Sequence, residues 1–461
     1  MSTADTYDLI VLGGGMAGLP VSIRGARSGL KTALIEDGDL GGTCLNRGCI
    51  PTKTMIRSAE VAHLVDRAEE FGIVREGEAR TDMEAVVERK RRVLEGIREG
   101  AYTNVENTEG LDLVEGRGVF ESPTEIAVND RVLTADTIVV NTGARPTKPP
   151  IEGLDEVPTL DSTSALELSE VPRHLAVVGG GYVGCEYAQL YERLGADVTV
   201  FQRGDRLLPG EEPDVSTVIR EAFESEGIDV RTNATVERLE STGSGIEVSA
   251  TEGGRTTTVD ASHVLIATGR RPNSDEIGLE ATDVETDEGG FIEVDEQFRT
   301  AEDSIRALGD VVGGPMFTHS ARDDAALLHR HLVEGETIDA RDRIVPHAVF
   351  TDPQVGRVGL TEEQANERGY EVAVGRSDYA DQGKPKALGL TEGFVKIVSD
   401  ADSGEILGGH VVGEQGADLI HEIVIAMKLG GTARDVAETI HVHPTLPEVV
   451  NAAAGGVHRP S

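Results

Sequence analysis

Two short stretches of this chain share a layout that few folds can accommodate. Tyr7-Asp-Leu-Ile-Val-Leu12 is an apolar run followed by Gly13-Gly-Gly-Met-Ala-Gly18, a helical stretch to about Gly29, and a second apolar run, Thr32-Ala-Leu-Ile-Glu36. Leu175-Ala-Val-Val178 leads in the same way into Gly179-Gly-Gly-Tyr-Val-Gly184, a helix to about Gly195, and Asp197-Val-Thr-Val-Phe201. Continuous apolar runs read as parallel strands buried on both faces. A glycine triplet between such a strand and a helix lets backbone approach a pyrophosphate at the helix N-terminus. Two such beginnings, about 165 residues apart, make two nucleotide-binding units the natural reading of the chain. The fold class expected is therefore α/β, with two Rossmann-like units. The alternative, a glycine-rich tight turn without a ligand, would have to occur twice in the same context.

The two units differ where the second strand ends. In the first, Glu36 can accept from ribose hydroxyls beside Gly13, Gly15 and Gly18. In the second, Gln202 stands at that place beside Gly179, Gly181 and Gly184, followed by Arg203 and Arg206. A carboxylate there would bind the 2′-hydroxyl of NAD and repel a 2′-phosphate. Gln202 removes the repulsion, and the two arginines supply charge-assisted donors. NADPH is thus expected over NADH, unless Arg203 is only a solvated surface residue.

Two further strand-and-turn signatures repeat: Thr137-Ile-Val-Val-Asn-Thr142-Gly143-Ala144 and His263-Val-Leu-Ile-Ala-Thr-Gly269-Arg270. Each is expected to carry the chain from one unit to the next. From about Val345 the pattern changes to short strands mixed with amphipathic helices, as in Gly393–Val398, Ile406–Val412 and Ala417–Leu429, which reads as a separate α+β domain. The stretches near Glu106–Asp130 and Thr242–Asp260 read as hairpin insertions. The expected division is 1–144 and 271–342 for the first nucleotide domain, 145–270 for the second, and 343–461 for the C-terminal domain.

Composition narrows the function. The 461 residues carry a net charge of −39, which repels phosphate backbones and anionic membranes, so no nucleic-acid or membrane partner is expected. Eight of the 43 basic residues are Lys and the other 35 Arg. So acidic and Lys-poor a surface suits a salt-loaded, halophilic cytoplasm, where screening acts over about 3 Å at 1 M salt; a merely acidic mesophilic protein is the alternative. No run of 18 apolar residues and no basic-plus-apolar leader is present, so the protein is expected to be cytoplasmic.

Only three cysteines occur, Cys44, Cys49 and Cys185. They are too few for a disulfide scaffold, and no neighbouring Cys or His completes a metal site. Cys185 reads as a small core residue. Cys44 and Cys49 lie in Gly41-Gly42-Thr43-Cys44-Leu-Asn-Arg47-Gly-Cys49-Ile-Pro-Thr-Lys53. A disulfide needs Cα atoms about 4.4–6.8 Å apart, whereas five residues of straight helix rise about 7.5 Å. The segment must be wound irregularly, with Gly48 and Pro51 the expected cause. Near the C-terminus, His443 and Glu448 in His441-Val-His443-Pro-Thr-Leu-Pro-Glu448 supply a proton carrier and a carboxylate to orient it.

Cys44-x4-Cys49 in this setting resembles the active-site motif of the pyridine-nucleotide–disulfide oxidoreductases, the family of dihydrolipoamide dehydrogenase, glutathione reductase and mercuric reductase. The resemblance covers nearly the whole chain in order. It implies FAD in the first nucleotide domain, a homodimer built on the C-terminal domain, and a redox disulfide between Cys44 and Cys49. It implies that Cys44 exchanges with substrate while Cys49 lies against the flavin as a charge-transfer thiolate. Lys53 matches the lysine near the flavin, Glu186 its ion-pair partner, Tyr182 a residue gating the nicotinamide pocket, Asp310 the acid on the ribityl chain, and Arg270 a nucleotide-contacting arginine. His443 becomes the acid–base residue, reaching Cys44 of the other subunit, with Glu448 its partner. Gly42, Thr43, Thr142, Gly143 and Gly269 join the cofactor contacts.

Within the family, Gln202 departs from NAD-linked dihydrolipoamide dehydrogenase, and a chain end without a cysteine pair departs from mercuric reductase. A reductase of a small, carboxylate-bearing disulfide remains. Arg24 matches a substrate-side arginine of glutathione reductase, with Ile23 in place of its neighbour. Arg47 is either a second anchor or a surface residue paired with a local acid. Without that neighbouring arginine, and with a halophilic composition, bis-γ-glutamylcystine is the expected substrate. NAD-linked dihydrolipoamide dehydrogenase, a mercuric reductase-like enzyme and a flavoprotein with a mainly binding role are the alternatives.

Overall fold

The computed structural model describes residues 5–77 and 79–458; Met1–Ala4 and the tail from Arg459, both part of the reading of the chain ends, lie outside them. The first strand, Asp5–Leu12, pairs in parallel with Thr32–Glu36 on one side and Arg131–Val140 on the other. Thr32–Glu36 is buried at every position, the signature of a strand covered on both faces. Leu111–Glu115 extends this sheet in parallel, so the stretch read as one hairpin insertion supplies a parallel strand as well as the hairpin Gly118–Ser122/Glu125–Val128. Helix Gly18–Arg27 makes the crossover from the first strand to the second.

One strand serves two partners. The first half of Arg131–Val140 holds the hairpin, and its last three residues pair in parallel with Ile305–Ala307, which returns to the sheet much later in the chain. Between those points the chain builds a second parallel sheet in the order Asp229–Thr232, Asp197–Gln202, His174–Val178, His263–Ile266. It adds a three-stranded antiparallel sheet over Ala234–Ala261. The outgoing and returning chains meet as two short antiparallel strands, Ala144–Pro146 and Arg270–Pro272, just after the two Thr-Gly turns. That is why Arg270 can donate to Ala144 O, and Thr142 to Asn273 O, despite their separation in sequence.

The C-terminal region forms a five-stranded antiparallel sheet in the order His347–Val349, Gln354–Gly359, Ile406–Gly413, Phe394–Asp400, Val372–Asp378. Helices Gly416–Lys428 and Pro447–Gly455 bury apolar faces, including Ile420, Ile423, Val449 and Val450, against one side of it. No helix among the described residues is long and apolar enough to cross a membrane.

Candidate active site

Both glycine fingerprints adopt one geometry. Gly13 and Gly179 have φ of +104° and +113°, and a Cβ on either would lie 2.3 Å from Asn141 O or 2.4 Å from Ala267 O. Only glycine tolerates both the left-handed backbone and the approach. A Cβ on Gly18 or Gly184 would lie 1.9 or 1.8 Å from the carbonyl of Gly13 or Gly179, which seats each helix start on its turn. The acceptors that end the second strands also match: Glu36 accepts from Gly14 N–H at 2.6 Å, and Gln202 from Gly180 N–H at 3.0 Å. Burial raises the Glu36 carboxyl above its ordinary value, against the lowering by its bonds to Gly14 and Gly38.

A cavity of about 550 Å³ runs from the first fingerprint to the cysteines. Gly13, Gly15, Glu36, Gly42, Thr43, Thr142 and Gly143 line it together with Cys44, Cys49, Lys53, Glu186, Asp310 and Arg270. Arg270 Nε is buried without a hydrogen-bond partner and lies 4.0 Å from Asp310 Oδ2. Burial lowers the Arg270 pKa and raises that of Asp310. A buried donor aimed into a cleft, a glycine-lined approach for a pyrophosphate and an acid for hydroxyl groups fit a long dinucleotide such as FAD.

The two cysteines sit on different helices. Cys44 belongs to Gly42–Asn46 and Cys49 opens the long helix Cys49–Asp66. The break falls at Arg47 and at Gly48, whose φ −137° and ψ −105° are non-helical. Pro51 is not part of it: it lies in the first helical turn, where a missing N–H costs nothing. Both are free thiols in this structure. Interaction with the Cys44 thiol lowers Cys49 to about 6 against the opposing effect of burial; Thr318 and Lys53 lower it further. Cys44 is correspondingly raised. One sulfur is thus prepared as a thiolate and the other as the proton-bearing partner.

Lys53 Nζ donates to both oxygens of Glu186, at 2.9 and 2.7 Å, and lies 4.6 Å from the centre of the Phe350 ring. Phe350 N–H also donates to Glu186, at 3.0 Å. Sequence reasoning missed Thr318, whose Oγ1 is 3.5 Å from Cys49 Sγ, and nothing in the sequence flags it. It also missed Asn141, which accepts from Gly18 N–H at 2.7 Å and donates to Leu308 O at 2.8 Å; its place just before the Thr142-Gly143 turn was the available signal.

The other expected residues, Arg47 apart, are not part of the cavity lining. Gly181 and Gly269 belong to the second fingerprint and its returning turn, and Tyr182 turns its hydroxyl to Glu211 and His347. Arg203 is exposed, while Arg206 donates to Pro209 O at 3.3 Å. Arg47 lines the cavity near Glu36 and lowers its carboxyl; Arg24 lies in the last turn of its helix, away from the cavity. Cys185 is fully buried in the core. His443 Nδ1 meets Glu448 Oε1 at 2.9 Å on the protein surface, the His443 side chain being 77% exposed. Glu448 is held below its ordinary value by Thr445 N–H and His443. His441 is tied by both ring nitrogens, to Thr439 O and Glu422.

Residues 7–325 match the description "pyridine nucleotide-disulphide oxidoreductase", and residues 345–454 match the dimerisation domain of the same name. The chain belongs to the pyridine nucleotide–disulphide oxidoreductase family. It is therefore an FAD-dependent oxidoreductase that uses a pyridine nucleotide, and the dimerisation domain supports a homodimer. Dihydrolipoyl dehydrogenase 2 of Haloarcula marismortui is 38% identical, with 97% of this chain and 96% of that protein covered. A mercuric reductase of Bacillus cereus is 37% identical over 97% of this chain and 71% of its own length. Among solved structures, the HOCl-induced flavoprotein disulfide reductase RclA from Escherichia coli has a TM-score of 0.89 at 30% identity, covering 97% of this chain and 99% of that one.

Proposed function

We propose that this oxidoreductase is an NADPH-dependent reductase of a low-molecular-weight disulfide, with bis-γ-glutamylcystine the specific candidate, acting in the cytoplasm. The observation that carries the disulfide chemistry is the Cys44–Cys49 pair, both lining the cavity and electrostatically coupled, with Cys49 prepared as a thiolate. FAD bound in that cavity would relay a hydride from the nicotinamide nucleotide to the cysteine pair. The partner subunit's His443 takes the Cys44 proton, and the Cys44 thiolate attacks one sulfur of the substrate disulfide, forming a mixed disulfide and displacing the first product as a thiolate. His443 of the partner subunit, oriented by Glu448, protonates the departing sulfur. The Cys49 thiolate displaces the second product as a thiolate, which takes a proton from solvent, and closes the Cys44–Cys49 bond, so two protons and two electrons leave with the products.

The nucleotide preference is supported by Gln202, which keeps the turn-capping acceptor without its charge, and by the exposed guanidinium of Arg203. A second reading, dihydrolipoamide dehydrogenase, is favoured by likeness to the Haloarcula protein. Steady-state turnover in high salt on bis-γ-glutamylcystine, glutathione disulfide and lipoamide, each with NADPH and NADH, separates the two. The proposal expects the highest kcat/KM for bis-γ-glutamylcystine with NADPH. Faster lipoamide turnover with NADH would overturn it.

A further inference from the structure

The C-terminal sheet carries a basic residue at the same level of all five strands. His347 is directly opposite Arg357, Arg357 opposite His410, His410 opposite Lys396, and Lys396 opposite Arg376. Residues opposite one another in adjacent strands project from one face, so the five form a single row across the sheet. The segment Glu211-Glu212-Pro213-Asp214 of the nucleotide-binding region lies along it. Glu211 meets His347 at 2.8 Å and Arg357 at 3.7 Å, Glu212 meets Lys396 at 3.3 Å and His410 at 3.6 Å, and Asp214 meets Arg376 at 2.9 Å. Most of this contact is dry: the side chains of Glu211 and His410 are 0% exposed.

One end of the row reaches Tyr182. Its hydroxyl donates to Glu211 Oε1 at 2.5 Å and lies 3.1 Å from His347 Nε2, and its ring stacks on that of His347 with centroids 5.6 Å apart. Burial works to raise Glu211, but His347, Tyr182 and Arg357 outweigh it and keep the carboxylate ionised. Burial beside Glu211 raises the Tyr182 phenol, which therefore donates. Tyr182 opens the helix Tyr182–Arg193; its neighbours Val183 and Glu186 line the cavity and Tyr182 does not. The ring is tied back from that wall.

We propose that Glu211 and His347 are positioning residues for the nicotinamide nucleotide: seated on the basic row, they hold the Tyr182 ring clear of the cavity wall formed by Val183 and Glu186. This rests on the reading that the nucleotide delivers hydride at that wall. Released from Glu211, the ring can swing across the wall and compete with the nicotinamide, so the apparent affinity falls by the fraction of time the wall is covered.

The test is stopped-flow reduction of the FAD-loaded enzyme by NADPH, which needs no disulfide substrate. Glu211→Gln and His347→Gln should each raise the apparent Kd for NADPH about five- to tenfold, with the limiting rate within about twofold. Arg376→Gln, at the far end of the row, should leave both values unchanged. In the Glu211→Gln/Tyr182→Ala double variant no ring is left to swing, so Kd should equal that of Tyr182→Ala alone. Flavin content and melting temperature establish folding, and His347→Gln carries the test if Glu211→Gln does not fold. An unchanged Kd in Glu211→Gln and His347→Gln, a rise of equal size in Arg376→Gln, or a rise that persists in the double variant would each overturn the proposal. If Tyr182→Phe and Tyr182→Ala both leave Kd unchanged, the placement of the nucleotide at that wall fails as well; a response to Tyr182→Phe with a flat Glu211→Gln rejects only the tie.

Discussion

Lys53 and Glu186 stand 133 positions apart in sequence and 2.7 Å apart in space, joining the helix that begins at Cys49 to the helix that begins at Tyr182. The Glu186 side chain is 7% exposed and that of Lys53 32%. Lys53→Met leaves the carboxylate buried with only Phe350 N–H as donor. A loss of about 2 kcal/mol is expected, below the value for a fully buried pair because Lys53 is a third exposed. Reversible denaturant unfolding of the holoenzyme measures it. Lys53→Arg should recover part of the loss.

Cys49 is lowered to about 6, first by its interaction with Cys44 and then, against burial, by Thr318 and Lys53. The sulfur is therefore a thiolate above that pH and takes up its proton as pH falls through it. Long-wavelength thiolate–flavin absorbance of the reduced enzyme should fade below about pH 6. Thr318→Val removes a stabilising contact, so the transition should move upward by about 0.5–1 unit, the worth of a hydrogen bond of roughly 1 kcal/mol. A pH titration of that band reads the shift; movement downward would contradict the assigned contact.

Gln202 accepts from Gly180 as Glu36 accepts from Gly14. Gln202→Glu therefore keeps the turn while adding the charge that repels a 2′-phosphate. The NADPH-to-NADH ratio of kcat/KM should fall at least about tenfold, the worth of roughly one charge-assisted hydrogen bond. Arg203→Ala should lower the same ratio from the other side. Ratios equal to that of the unaltered enzyme in both variants would remove the structural basis for preferring NADPH.

His443 is exposed, and the cavity that holds Cys44 is lined by other residues. If His443 serves the partner's cysteine, Cys44→Ser and His443→Gln chains are each inactive alone and complement when refolded together. One competent site per mixed dimer restores about a quarter of the unaltered activity under random pairing in a two-fold dimer. Mixtures no more active than their components would place the proton carrier elsewhere.

Much of the site was legible because it is local. The glycine spacings, Glu36 and the Cys44–Cys49 interval each lie within a few tens of residues, and their geometry follows from one turn or one helix start. The break between the cysteines followed from helix rise alone, although Pro51 was wrongly implicated: position in a first turn, not residue type, decides whether proline disrupts. Cys185 was correctly placed in the core because a small apolar side chain on a nucleotide-domain helix has little else to do.

What the amino-acid sequence determined by itself was the periodicity of each strand, the left-handed turns at Gly13 and Gly179, and the residue types available for thiol and proton chemistry. The fold alone decided that Thr318 reaches Cys49, that Phe350 caps Glu186, and that five basic residues on five strands align against Glu211, Glu212 and Asp214. Backbone sterics and hydrogen bonding act between near neighbours and leave a local imprint. Contacts between distant segments depend on sheet order, register and the packing of separate layers, none of which any single stretch of chain encodes.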